Sequence, residues 1–180
     1  MKHFPASRRA GFSLIELIVV MLIVAILAGV VLPRIIGRGD DARLTRTLND
    51  IQSIRKAAEL LYADVGRFPA DGIADQDPGF ANVNQVPSAL RDEWRGPYLD
   101  RWPDETVLGG HFDWEYRSQS QFNFDGQGGN EAWLRIVGVT DSAWLNVIDE
   151  ELDDGNRNTG QTRHNGNDQI WFYVGEGPRW

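Results

Sequence analysis

The chain has 180 residues and no cysteine, and this absence removes several kinds of chemistry. Without thiols there is no disulfide framework, no thiolate metal site and no cysteine nucleophile. The absence leaves both oxidising and reducing compartments open. Lysine is also scarce, since Lys56 is the only one after Lys2. No glycine-rich turn precedes Lys56, so the sequence has no phosphate-binding loop of the usual kind.

Positive charge is scarce as well. The chain has 18 basic and 26 acidic residues, a formal net charge of −8. The first eleven residues contain three basic groups and no acid, so removing them from the net charge of −8 leaves −11. A surface of this sign repels phosphate backbones, which disfavours nucleic acid as the main partner.

No catalytic constellation stands out. The three histidines, His3, His111 and His164, lack the spacing of metal ligands, and no serine occupies a nucleophile elbow. We therefore do not predict an enzyme. A hydrophobic content of 42%, with seven Trp and eight Phe, is enough for the core of one domain.

One long apolar run dominates the N-terminal region. Residues 12–32 read FSLIELIVVMLIVAILAGVVL, and Ser13 and Glu16 are the only polar side chains among these 21 residues. As a helix the run would be about 31 Å long, close to the hydrocarbon thickness of a bilayer. The pattern predicts a transmembrane helix over residues 12–36.

A cleaved secretory signal peptide is the competing interpretation of a basic segment followed by an apolar run. Such a peptide has a small-x-small cleavage site after the run, whereas here Leu32-Pro33-Arg34 follows and another helical pattern begins. Glu16 also lies inside the apolar run, where a carboxylate is costly unless a partner neutralises it.

The sequence GFSLIEL at residues 11–17 resembles the class III signal of type IV pilins and type II secretion pseudopilins. The resemblance implies a leader over residues 1–11, cleavage by a prepilin peptidase between Gly11 and Phe12, and N-methylation of Phe12. It also implies that Glu16 pairs with the terminal amine of a neighbouring subunit and that the helix can bend or melt at Pro33 during assembly.

The electrostatics of Glu16 agree with this role but leave an alternative open. A carboxylate and an ammonium from two subunits would neutralise each other in a low-dielectric filament core and set the register. Alternatively, Glu16 lies close enough to the end of the run to reach the membrane interface. Arginines flank the run on both sides and do not decide its orientation. The resemblance implies a single-pass protein of the bacterial inner membrane, with a cytoplasmic leader and a periplasmic C-terminal domain.

The rest of the chain predicts a helix and a sheet. Apolar residues three or four apart indicate an amphipathic helix over residues 37–66, which continues the first one as a rod broken near Gly29, Pro33 and two following glycines. Gly66 is the expected C-cap. Residues 67–110 are rich in Pro, Gly and Asp and predict a connecting loop, with a short helix near residues 88–94.

The remaining residues, 111–180, are expected to hold an antiparallel sheet with acidic loops. Strand patterns occur at 111–117, 132–139 and 169–174, while 140–151 fits either a helix or a connection. The predicted fold class is therefore α+β: a long N-terminal helix packed on a small antiparallel sheet, as in type IV pilins.

Two oxygen-rich turns, 123–131 and 149–156, have the composition that calcium prefers, although neither has EF-hand spacing. The resemblance favours the second turn, because major pseudopilins carry a calcium-binding loop near the C-terminus. By region and residue type, the expected ligands are Asp149, Asp153, Asp154, Asn156 and Asp168.

These observations predict a structural subunit of a type II secretion pseudopilus that promotes protein export. The resemblance implies a homo-oligomeric filament whose other partners are minor pseudopilins, an inner-membrane assembly platform and its ATPase. Two alternatives stay open: a type IV pilin for adhesion, motility or DNA uptake, and a membrane-anchored periplasmic binding module. The absence of the cysteine pair that closes a loop in many pilins favours the pseudopilin.

Overall fold

The computed structural model describes residues 14–72, 76–103, 105–118 and 129–180. The predicted cleavage site at Gly11 and Phe12, and most of the first acidic turn, lie outside these ranges. The chain divides into two compact units, residues 1–42 and 43–180. Among the described residues, no helix combines the length and the apolar character needed to cross a membrane.

Helix α1 spans Leu14–Val65 and is assigned without interruption. The sequence predicts a rod that can kink or unwind at Gly29, Pro33 and two following glycines, and α1 is one helix through these positions. The loss of one backbone hydrogen bond at a proline is compatible with a helix that continues past it. The helix ends as predicted: Gly66 has φ +70°, and its N–H donates to the Tyr62 carbonyl at 2.8 Å.

The second unit contains a four-stranded antiparallel sheet, so the predicted α+β fold is confirmed. The strands are β1 (His111–Ser118), β2 (Asn130–Val137), β3 (Thr162–His164) and β4 (Gln169–Glu176). Their order across the sheet is β1-β2-β4-β3. Helix α2 (Ala143–Leu152) connects β2 to β3 and resolves the ambiguous segment 140–151 in favour of a helix.

One face of the sheet and one stripe of α1 form the core. Trp114, Leu134 and Phe172 are paired across β1, β2 and β4, and all three side chains are buried. Helix α1 contributes apolar residues three or four apart, as the amphipathic pattern predicts. Those with almost no exposed surface are Ile51, Ile54, Ala57, Ala58 and Leu61.

The opposite face of the sheet carries buried charges. Arg135 of β2 forms ion pairs with Asp113 and, at 2.6 Å, with Glu115, both on β1. Glu115 also accepts hydrogen bonds from Arg117 at 2.7 Å and from the Trp171 indole at 3.2 Å. These contacts neutralise the buried carboxylates of Asp113 and Glu115 on the face of the sheet that points away from the core.

The described residues between α1 and β1 form a long loop. It contains two short 3-10 helices, Val83–Gln85 and Ser88–Leu90, and the second lies within the predicted helical segment 88–94. The Asp77 carboxylate organises the loop by accepting backbone N–H groups of residues 79–82 at 2.7–3.1 Å.

Candidate functional site

Helix α2 and the loop that follows it bring acidic side chains together. Asp141 begins the helix by accepting the Ala143 N–H at 2.9 Å, and Leu145 and Ile148 are buried in the core. Asp149 is the next residue and is also fully buried. Because Asp153 follows one helical turn later, its N–H caps the helix on the Asp149 carbonyl at 2.8 Å.

Three of the predicted metal ligands meet at this end of the helix. One carboxylate oxygen from each of Asp149, Asp153 and Asp154 lies within 4.8 Å of the others. This acidic cluster is defined by these three residues. Oxygen-only donors of high negative charge are the ligands that a hard divalent cation such as calcium prefers.

Asp149 is the residue of the cluster most in need of a partner. Both of its carboxylate oxygens are buried, and neither has a hydrogen-bond partner within the described residues. Burial raises the pKa of Asp149 to about 6, and the nearby charges of Asp154, Asp153 and Glu150 act in the same direction. A bound cation would remove this cost, so the cluster fits a metal.

The other two carboxylates are held by the loop itself. Asp153 Oδ2 accepts the Thr162 N–H at 2.9 Å. Asp154 accepts the Thr159 hydroxyl at 2.7 Å and the Asn156 N–H at 2.8 Å. The Thr159 hydrogen bond, followed by the one from Asn156, holds the pKa of Asp154 below its usual value. Asp154 is therefore ionised, and its position is fixed.

The remaining two predicted ligands differ in their placement. Asn156 lies on the same loop, next to Asp154, and its Oδ1 accepts the Asn158 N–H at 3.3 Å. Asp168 belongs to the turn between β3 and β4, where its Oδ1 accepts from Asn165 at 3.0 Å and from Asn167 at 3.4 Å. Among the described carboxylates, Asp168 is not one of those in the acidic cluster.

His164, which sequence spacing does not single out, lies beside the cluster. Its Nε2 is 3.7 Å from Asp149 Oδ2, and its side chain is 2% exposed. Burial, together with the charge of Arg157, lowers the pKa of His164 below its usual value, so the ring is neutral near pH 7. Fifteen residues separate the two in the chain, and only the pairing of β3 with β4 brings the ring to this position.

The first part of α1 forms the second candidate site. Glu16 lies in the first helical turn, and its side chain is exposed. Ten large apolar residues surround it in the sequence and expose between 46% and 79% of their surface: Leu14, Ile15, Leu17, Ile18, Val19, Val20, Met21, Leu22, Ile23 and Val24. Pro33 lies within α1.

An N-terminal signal, a long helix and a small antiparallel sheet together define the class of type IV pilin-like proteins. The prokaryotic N-terminal methylation motif matches residues 6–32. The model of type II secretion system protein G matches residues 34–130, more than half of the chain. The chain belongs to the type II secretion system protein G family.

Individual relatives agree with this assignment. Type II secretion system core protein G of Klebsiella pneumoniae is 28% identical over 102 residues, covering 55% of this chain and 69% of the relative. The protein of the same description from Aeromonas hydrophila is 29% identical over 101 residues, covering 54% and 67%. That of Pseudomonas aeruginosa is 36% identical over 63 residues, covering 35% of this chain and 44% of the relative. No solved structure is significantly similar to this chain.

Proposed function

We propose that the chain, processed to begin at Phe12, is a structural subunit of a type II secretion pseudopilus. The observation that carries the proposal is the exposed apolar surface of α1 between Leu14 and Val24. So large an apolar surface is unfavourable in water and marks a region that a membrane or other subunits cover. The methylation motif and membership of the protein G family support the same role.

The proposal includes the setting in which the subunit works. Before assembly the chain is anchored in the bacterial inner membrane by residues 12–36, with residues 43–180 in the periplasm. A prepilin peptidase removes the leader, and a membrane platform with its ATPase adds the subunit to a filament that also contains minor pseudopilins. The role is structural rather than catalytic. The surface pilin and the binding module are not favoured, because the relatives share the description core protein G.

In this account Glu16 neutralises the amine of Phe12 in the neighbouring subunit. We predict that Glu16→Val, which makes the helix more apolar, leaves membrane insertion and processing intact but lowers filament yield at least tenfold. Sheared filaments are quantified by immunoblot from cells that express the whole secretion apparatus. Ser53→Val on α1, far along the chain from the apolar segment, is the control. A normal filament yield from Glu16→Val would exclude this role.

We propose further that calcium binds the acidic cluster and stabilises the second unit. The proposal rests on the two buried, unpartnered oxygens of Asp149 beside two further carboxylates. The cation would be held by Asp149, Asp153 and Asp154, with Asn156 on the same loop as a further oxygen donor. It would tie the end of α2 to the loop that leads into β3.

We predict that calcium at a hundred times its dissociation constant stabilises the full chain in detergent micelles by about 2.7 kcal/mol. Thermal unfolding is compared in calcium and in a chelator. The double variant Asp153→Ala with Asp154→Ala should lose the difference, whereas Asp125→Ala in the first acidic turn should keep it. Coincident midpoints for the native chain would mean that the acidic cluster does not bind calcium.

A further inference from the structure

We propose that His164 is a positioning residue for the acidic cluster: a ring N–H of His164 holds the Asp149 carboxylate in the orientation that binds the cation. The inference rests on the calcium site proposed above. It assigns to this histidine a role that the chain's sequence spacing gives no reason to expect.

Four buried polar atoms lie between α2 and the end of β3. Neither ring nitrogen of His164 and neither carboxylate oxygen of Asp149 has a hydrogen-bond partner in the described part of the chain. The two side chains are 2% and 0% exposed. A buried polar group without a partner is destabilising, so two such groups that face each other need an explanation.

The two groups have complementary chemistry. A neutral imidazole offers one N–H donor, and an ionised carboxylate accepts hydrogen bonds only. The separation of 3.7 Å between Nε2 and Oδ2 exceeds a hydrogen bond, and a small side-chain movement closes it. In that position the N–H of His164 is a partner for the Asp149 oxygen that faces the ring, and it holds the carboxylate in one orientation.

Backbone hydrogen bonds fix the position of His164 at the end of β3. His164 is the last residue of β3, pairs with Ile170 of β4, and donates its N–H to the Arg157 carbonyl at 3.2 Å. Asp149 is fixed on α2, which the core anchors through Leu145 and Ile148. A hydrogen bond between His164 and Asp149 would therefore join α2 to strand β3.

His164 is a partner of a ligand rather than a ligand. Calcium selects oxygen donors over imidazole nitrogen. Among the described residues, the acidic cluster with ligand atoms within 4.8 Å of one another contains Asp149, Asp153 and Asp154 but not His164. Side chains that hydrogen-bond a metal ligand from behind typically change metal affinity 10–100-fold when they are replaced.

The test measures calcium affinity by calorimetric titration of the full chain in detergent micelles at pH 7. His164→Leu, which removes both nitrogens, should raise the dissociation constant at least tenfold. His164→Gln, which restores an N–H donor, should recover most of that loss. His111→Leu on β1 is the matched control and should leave the affinity unchanged. Equal affinity for the native chain and His164→Leu would overturn the inference and leave the calcium site standing.

A second measurement observes the ring of His164 in the native chain directly. In a nitrogen-15 spectrum of the imidazole rings, calcium should leave His164 with one protonated nitrogen and a slowly exchanging N–H; the signal is assigned by its loss in His164→Gln. Ring signals of His164 that do not respond to calcium at saturation would overturn the inference. A native chain that binds no calcium at all would overturn both proposals.

Discussion

At the residue scale, burial and the neighbouring carboxylates both raise the pKa of Asp149. Without a cation, the pKa of about 6 in the folded protein exceeds the ordinary value of 3.8. Between these two values the folded state holds a proton that the unfolded state has lost. The free energy of unfolding therefore falls as pH rises from about 4 to about 6, and it stays low above that range.

We predict that this loss amounts to about 3 kcal/mol in chelator, since each pKa unit corresponds to about 1.4 kcal/mol. Denaturant unfolding of the native chain from pH 4 to pH 7 measures it. Asp149→Asn, which keeps the shape and removes the charge, should show a smaller fall, while Asp168→Asn should behave like the native chain. An identical pH dependence in all three proteins would contradict the assigned pKa.

Residue types, together with the resemblance to major pseudopilins that favoured the second acidic turn, predicted the residues of the acidic cluster. Asp149, Asp153 and Asp154 come together because they lie on one helical turn and the residue after it, a spacing that the sequence displays. The position of Asp168 could not be predicted, because it depends on a turn that Asn165 organises through its own hydrogen bonds. His164 was missed for the same reason, since strand pairing brings it to Asp149.

At the scale of elements, the loop from α2 to β3 depends on a close approach at Gly160. This residue has φ +75°, and an added Cβ would overlap Asp153 Oδ2. Gly166 has nearly the same backbone conformation, φ +76°, but there a Cβ would meet only the flexible end of Arg157 at 2.9 Å. Substitution of either glycine introduces backbone strain, but only substitution of Gly160 also displaces the Asp153 carboxylate. Comparing the two therefore distinguishes these effects.

We predict that Gly160→Ala and Gly166→Ala each lose about 1 kcal/mol of stability through the positive φ angle. Only Gly160→Ala should also reduce the stabilisation by calcium, because Asp153 must leave its hydrogen bond with Thr162. Thermal unfolding of both variants, with calcium and with chelator, provides the measurement. An undiminished calcium effect in Gly160→Ala would show that Asp153 is not held by this contact.

The regular elements were predicted where their patterns were long. Alternation of apolar residues placed β1, β2 and β4 within about two residues of their ends, because each strand has eight residues and one face in the core. Strand β3 has three residues, too few for alternation to be visible. The sequence of α2 fits either a helix or a connection because the segment is short. Packing of Leu145 and Ile148 against the core stabilises the helix.

At the scale of the whole molecule, one part of the chain has a buried core and another part leaves apolar side chains exposed. Residues 43–180 form a unit with aromatic pairs inside it, such as Phe80 against Trp114 at a centroid distance of 5.1 Å. The residues between Leu14 and Val24 remain exposed in the isolated chain. In the proposed function, a membrane covers this surface before assembly and neighbouring subunits cover it afterwards.

The most direct test of this account is the intact mass of the chain in a sheared filament fraction from cells that carry the whole secretion apparatus. We predict a subunit that begins at N-methylated Phe12 and lacks residues 1–11. Gly11→Asp should block cleavage, leave the precursor in the membrane and remove the chain from this fraction. Finding the native chain only as the uncut precursor in membranes, or cut beyond Leu32, would contradict the assignment as a pseudopilus subunit.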